Sequence, residues 1–247
     1  MNTTDLENSL IIFTDGSSLG NPGPGGWGGM LLYPKLDEAI ELGGTKAPTT
    51  NNEMELTAIL SALTYAADST AQINLFTDSQ YAINGVTKWM YGWAKNGWLT
   101  KDKEPIKNKD IWQRLFEIIS KRGKDTIAWH HVRGHVGVPA NERVDDIARE
   151  LAEGVNVKMY RGKLSEHPTK NLLHIDLEAA AAKGKEKSKT KSGKAYSYVA
   201  LVEGKIEKFS NWDDCKARVH GRSSKYKKAL SAEHEKEILT DWGVSEK

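Results

Sequence analysis

Two short apolar runs in this chain each end in an aspartate: Ile11-Ile12-Phe13-Thr14-Asp15 and Asn74-Leu75-Phe76-Thr77-Asp78. Each run reads as a buried strand, and an acid at the carboxyl end of such a strand lies at the rim of a sheet, where open α/β folds place their sites. Taken singly, either is better explained as a turn or helix-capping Asp; two on neighbouring strands shift the balance towards a site. Glu53 and Glu55 fall near the start of a helical stretch from Asn51, and Asp145 falls on a late amphipathic helix behind Asn141-Glu142-Arg143. An acid near a helix start can simply complement the helix dipole, and one on a helix surface is usually solvated. If such acids did converge, they would repel and raise one another's pKa values, so the cluster makes sense only around cations. An all-oxygen donor set selects hard Mg²⁺ or Mn²⁺ over zinc. Two such ions about 4 Å apart can activate a water and stabilise the leaving oxygen in phosphodiester hydrolysis. Periodicity alone does not establish that the acids meet.

The elements that must position these residues follow from apolar spacing. Strands are expected at residues 9–14, 27–33, 39–42, 73–77 and 126–131. Helices are expected at 51–67, from 79 to about 86, at 107–121 and at 139–152, the last with a proline near its first turn. Strands alternating with helices indicate α/β, and the early hairpin-like strands indicate a mixed sheet. After Gly154 the pattern weakens. A short helix is expected over 172–182, and Lys183–Lys194 holds six lysines and no hydrophobe, the composition of a charged linker. Order returns with strands at 196–202 and 205–209 and helices at 211–219 and 232–239, a small α+β unit. The expected organisation is thus a first domain over 1–154, a linker over 155–194 and a second domain over 195–247.

Charge divides the same way. Met1–Gly154 carries 15 Lys+Arg against 20 Asp+Glu, a net of −5, and Val155–Lys247 carries 20 against 13, a net of +7. A basic second unit suits a polyanion, although a merely solvated tail would look the same. The single cysteine, Cys215, excludes an internal disulfide framework and any multi-cysteine zinc site. No apolar run approaches a membrane span, and the polar, acidic start Met1–Asn8 is unlike a secretory signal, so a cytoplasmic location and no membrane partner are expected.

Four segments, TDGSSLGNPGPGGWG, TTNNEMEL, FTDSQYAING and GHVGVPANERVD, occur in this order and spacing. Together they closely resemble the bacterial type 1 ribonuclease H family over about Ser9–Ala152. The resemblance implies a ribonuclease H-like fold, a five-stranded mixed sheet flanked by helices. It implies an endonuclease that hydrolyses the RNA strand of RNA–DNA hybrids by a two-metal-ion mechanism, leaving 3′-hydroxyl and 5′-phosphate ends. The family's metal-binding acids fall on Asp15, Glu55, Asp78 and Asp145, with Mg²⁺ as the cofactor and Mn²⁺ as a possible substitute. Glu55, in the Met-Glu-Leu step, is preferred to Glu53, and Asp145, from the NER-x-D spacing, to Asp146. The flexible-loop histidine that moves protons or releases product falls on His135, whereas His130 and His131, on a strand, read as structural. Asn21, Asn51, Asn52, Gln80 and Asn141 match residues facing the hybrid's minor groove, where amides can read base edges and the 2′-hydroxyl. Thr50 and Asn108 match positions that hold a DNA-strand phosphate. The glycine-rich loop is expected to admit a strand closely.

Lys88–Lys109 interleaves Trp89, Tyr91, Trp93 and Trp98 with six lysines, and the family's basic, DNA-binding protrusion lies here. Trp89 is the expected contact; the bland alternative is that the tryptophans pack a helix pair. In the second unit, NWDDCKARVHG followed by SSKYKKALS resembles the small hybrid-binding domain of eukaryotic type 1 ribonucleases H. That likeness implies a stacking Trp212 and a Tyr226-Lys227-Lys228 contact, against the alternative of a core Trp and surface lysines. A hybrid duplex is therefore the expected partner, with no obligate protein partner and a monomeric chain. Two competing readings are a resolvase or transposase core of the same superfold and a non-catalytic hybrid binder. The TTNNEMEL segment disfavours the first, and an intact acidic set disfavours the second.

Overall fold

The computed structural model describes residues 6–132, 138–174, 196–202, 205–219 and 224–242. They fall into two compact units, divided between Ala181 and Ala182.

In the first unit the strands are β1 (Leu10–Ser18), β2 (Gly23–Tyr33), β3 (Glu38–Thr49), β4 (Ile73–Thr77), β5 (Ile127–His131) and β6 (Arg161–Lys163). They form one sheet in the order β5-β4-β1-β2-β3-β6. β1 runs parallel to β4, and β4 to β5, while β1, β2, β3 and β6 pair antiparallel. The helices are α1 (Asn51–Tyr65), α2 (Gln80–Asn84), α3 (Met90–Lys95), α4 (Lys109–Arg122) and α5 (Pro139–Ala152), with a π-helical turn at Gly85–Trp89 between α2 and α3.

β1 is apolar without alternation because both of its faces are covered. Leu10 and Ile12 pack with Leu56, Ile59 and Leu63 of α1, whereas Ile11 and Phe13 pack with Ala140 and Val144 of α5. α1 starts cleanly because the Thr50 hydroxyl accepts the Glu53 N–H. It is buried around much of its girth, between the sheet and α4. The aromatics of the protrusion fill a local core: Trp93 meets Trp112, and Tyr91 and Trp98 meet Phe116, all edge-on.

Two expectations need correction. The sheet has six strands, not five, and the boundary at Gly154 cuts through the first unit. Residues 155–174 are not linker: Arg161–Lys163 pairs with Glu38–Ile40, and His167 and Leu172 are buried. A three-residue strand of Arg-Gly-Lys carries no alternation for a reader to find, and its partner does the ordering. The strands at 27–33 and 39–42 are also longer than expected, since the glycine-rich stretch is itself part of β2. The helix expected over 172–182 and the lysine run lie mostly or wholly outside the described residues.

The second unit has β7 (Ser197–Val202), β8 (Lys205–Phe209), α6 (Trp212–Val219), β9 (Ser224–Ala229) and α7 (Ala232–Asp241). Its sheet order is β8-β7-β9, all antiparallel. Each face of this small sheet has its own core. Val199 and Ala229 pack with Ile238 and Leu239 of α7, and Ala200 and Val202 pack with Cys215 and Val219 of α6. β9 escaped the sequence reading because its run Ser-Lys-Tyr-Lys-Lys is polar and mostly exposed.

Candidate active site

The parallel register pairs Thr14 with Thr77, so Asp15 and Asp78 continue side by side at the carboxyl edge of the central strands. Two glycines bring the other acids to them. Gly16 lies so close to α1 that a Cβ there would meet the Glu55 backbone nitrogen at 2.1 Å. Gly28, the β2 partner of Asp15, would meet the Val144 carbonyl at 2.5 Å. Each missing side chain lets a helix rest on backbone, and each helix presents an acid there: Glu55 from α1, and Asp145 directly after Val144 from α5.

The electrostatics record the convergence. Asp15 is only 8% exposed, and its pKa is pushed up to about 8 by burial first, then by the charge of Asp78, with Asp145 and Glu55 adding to it. The Gly16 N–H, donating to its Oδ1 at 2.6 Å, opposes the shift. Glu55 is raised by burial and by Asp78, against hydrogen bonds from Ser79 and Asn51. The Asn51 amide donates to Glu55 at 2.9 Å, and the Ser79 hydroxyl, which also caps α2, bonds its other oxygen. Among the described residues no three acid, histidine or cysteine side chains already stand close enough to hold a metal ion. Asp15 feels the other three carboxylates without the set closing. All-oxygen donors whose charges raise the pKa values of Asp15 and Glu55 fit a hard divalent cation, whose charge reverses the local balance.

The neighbours sort themselves. Glu53 is tied to Lys46 and accepts from Thr49, away from the cluster. Asp146 pairs with Arg149 at 2.6 Å on the helix surface. His130 stacks on Phe76 at 4.5 Å and bonds Asn74, and burial lowers its pKa. His131 Nε2 lies 3.0 Å from the Asp78 carbonyl, so it braces the strand end. His135 lies outside the described residues.

Beside the acids a cavity of about 510 Å³ gathers four of the expected substrate residues, Asn21, Thr50, Asn52 and Asn108. Tyr81, Trp93 and Lys107 also line it. Tyr81 was missed by the sequence reading. Its hydroxyl accepts from Trp112 at 3.0 Å and lies 3.5 Å from the Asn108 amide, linking the aromatic core to the pocket. Asn51 is engaged with Glu55 rather than with this cavity, and Gln80 stands exposed at the start of α2. Asn141 is buried, with its side-chain oxygen lacking a partner among the described residues. Trp89 is exposed, leaning on Tyr81 and Trp93. Of the glycine-rich loop expected to admit a nucleic-acid strand, Gly26 lies under α5.

In the second unit Trp212 sits between Tyr198 and Tyr226, at centroid distances of 5.6 and 5.5 Å. Trp212 is 38% exposed and Tyr226 52%. Strand alternation separates the expected trio. Tyr226 and Lys228, opposite Ala200 and Tyr198, share the α6 face, whereas Lys227, opposite Val199, belongs to the α7 face.

Comparison with known proteins agrees with this geometry. The RNase H family profile matches residues 7–153. A ribonuclease H of Afipia carboxidovorans is 50% identical over 145 residues, 58% of this chain and 93% of that protein. One of Rhizobium johnstonii is 52% identical over 142 residues, 58% of this chain and 90% of that protein. Among solved structures, LC9-RNase H1, a type 1 RNase H with the type 2 active-site motif, superposes with a TM-score of 0.55 at 25% identity, covering 71% of this chain and 85% of that one. The foamy viral RNase H domain shares the fold, with a TM-score of 0.51 at 23% identity over 60% of this chain and 96% of that one. The chain therefore belongs to the RNase H family, as a type 1 ribonuclease H.

Proposed function

We propose that the first unit hydrolyses the RNA strand of RNA–DNA hybrids, using a pair of divalent cations held by Asp15, Glu55, Asp78 and Asp145 and leaving 3′-hydroxyl and 5′-phosphate ends. The observation that carries this reading is the buried Asp15 of β1 feeling the charges of Glu55, Asp78 and Asp145 at one sheet rim, in a unit whose cavity is lined by Asn21, Thr50, Asn52 and Asn108. Mg²⁺, or Mn²⁺ in its place, would supply charge neutralisation and water activation there. The chain's own part is to bind and orient. Asn21, Asn52 and the backbone around them face the groove, Thr50 and Asn108 hold a phosphate of the uncut strand, and Trp89 packs on the duplex flank. Gln80, Asn141 and Asn51 complete the groove contacts, and His135 carries protons to or from the cut site.

The experiment incubates the protein with labelled RNA–DNA, RNA–RNA and DNA–DNA duplexes, with Mg²⁺ and with chelator. RNA cleavage confined to the hybrid and lost in chelator is expected. Cleavage of the DNA duplex, or cleavage indifferent to chelator, overturns the reading.

For the second unit, a hybrid-binding role is supported by the exposed Trp212 and Tyr226, backed by the half-buried Tyr198, with Lys228 on the same face. Binding of the isolated residues 196–247 to hybrid, weakened by salt, is the expected result, and a folded unit without affinity for hybrid would refute it.

A further inference from the structure

Glu41 lies in the middle of β3 with its side chain 1% exposed, in a family of contacts that spans three segments. The Arg143 guanidinium of α5 grips its two oxygens at 2.7 and 2.9 Å. The Tyr160 N–H donates to it at 2.9 Å, and His167 Nε2, equally buried, donates at 3.2 Å. His167 is itself fixed, because its Nδ1 accepts the Thr169 N–H at 3.1 Å. The returning Glu41 N–H bonds the Tyr160 carbonyl at 2.8 Å. A buried carboxylate with this many donors is held in one position.

Arg143 precedes Asp145 by two residues on the same rigid helix. At Gly26 and Gly28 the backbone of α5 comes up against strand backbone, with Ile147 and Leu151 beside it. Ala140 and Val144 pack on the sheet through apolar contacts, which carry little directional preference. The glycines let α5 come near, and the bidentate fork onto Glu41 adds the directional contact that fixes where along the sheet the helix stops.

We infer that Glu41 and the arm residues Tyr160 and His167 act, through Arg143, as positioning residues for Asp145, so that the arm beyond the catalytic helix tunes the affinity of the carboxylate cluster for a divalent cation. This rests on the reading of Asp145 as a metal ligand.

The test is direct Mn²⁺ and Mg²⁺ binding by calorimetry to the full chain without nucleic acid, well below the melting transition. The variants are Arg143→Met, Arg143→Lys and Asp145→Asn, and cleavage is followed separately. Removing the Arg143 charge near an acidic cluster should, by electrostatics alone, tighten cation binding. Loss of positioning predicts the opposite: Arg143→Met weakens binding about tenfold or more, the usual scale for groups that support a ligand. Arg143→Lys keeps the charge but cannot form the fork, so it weakens binding too. Tighter or unchanged binding in folded Arg143→Met overturns the inference. If Arg143→Met does not fold, unchanged binding in Arg143→Lys overturns it. Asp145→Asn separates the two levels: if it leaves binding unchanged, the ligand reading fails; if it weakens binding while the Arg143 variants do not, only the positioning role fails.

Discussion

Asp15→Asn should make the cation-free protein more stable at neutral and alkaline pH while abolishing cleavage. In the folded chain burial and the Asp78 charge push the Asp15 pKa up to about 8, against an ordinary value of 3.8. A raised pKa means that the folded state holds a proton the unfolded chain has already released. The folded form is therefore not penalised below about pH 4, and the penalty grows as pH rises until it levels off above about 8. At about 1.4 kcal/mol per pH unit, the cost is about 3 kcal/mol at pH 6 and about 5 kcal/mol at pH 8. Asparagine keeps the shape and never ionises, so it escapes most of that cost. For a unit of this size each kcal/mol moves the melting temperature by about 2–4 °C, so in chelator at pH 8 the variant should melt about 10 °C or more above the wild type. The gap should shrink towards pH 6 and close on adding Mg²⁺, which stabilises only the chain that can bind it. Scanning calorimetry at the two pH values, with EDTA and with Mg²⁺, measures this directly. An Asp15→Asn protein no more stable than wild type at pH 8 in EDTA, or a gap independent of pH, would refute the reasoning. So would residual cleavage within about tenfold of wild type, a barrier change of only about 1.4 kcal/mol.

Four further outcomes are expected. Glu41→Gln should cost about 1–3 kcal/mol, because the half-buried Arg143 loses the charge of its buried partner and one donor at the site is left unmatched. Burial acts to raise the Glu41 pKa, but the bonds from Arg143, Tyr160 and His167 win and hold it below its usual 4.5. That contribution is present above about pH 4.5 and lost as pH falls further, so acid melts of wild type and variant should converge. His135→Ala should slow turnover by about 10²–10⁴-fold without abolishing it, as steady-state rates on hybrid would show; an unchanged rate would remove the loop histidine from the chemistry. Truncation after Ala181 should leave an active nuclease with weaker hybrid affinity and lower processivity, because a tethered second site keeps the strand nearby. Trp212→Ala in the full chain should weaken binding by about 1–3 kcal/mol, with a melt of the second unit to exclude unfolding.

The central acids were legible because the mostly apolar runs Leu10–Thr14 and Ile73–Thr77 are each followed at once by an aspartate, and because Glu55 and Asp145 sit on helices with clear starts. Their meeting was not legible from periodicity. It depends on Gly16 and Gly28, whose contribution is the absence of a side chain, and a glycine in a strand looks the same in sequence as one in a turn. The resemblance to the family supplied that step. The arm was lost for a different reason. Tyr160, Arg161 and His167 form no periodic pattern, and their order comes from partners more than a hundred residues away, at Asp37, Ile40 and Glu41. Lys227 was grouped with Lys228 because the two are adjacent, yet a strand turns neighbours to opposite faces. Nothing in the sequence marks Tyr81, whose hydroxyl bridges Trp112 and Asn108 only through residues about thirty positions along the chain.

The three-residue strand β6 has one more consequence, for self-association. β3 is twelve residues long and would otherwise present an open hydrogen-bonding edge to any second chain. The chain treats the two halves of that edge differently. Towards Thr49 it is blunted by Lys46, which is exposed and charged, and by Pro48, which has no N–H to offer. Towards Glu38, where Ala39 and Ile40 are apolar and buried, neither device is used, and Arg161–Lys163 occupies the edge instead. A fragment ended where family similarity ends, at residue 153, would keep Asp15, Glu55, Asp78 and Asp145 and still uncover the apolar half. Such a fragment should pair edge to edge with its own copies as its concentration rises.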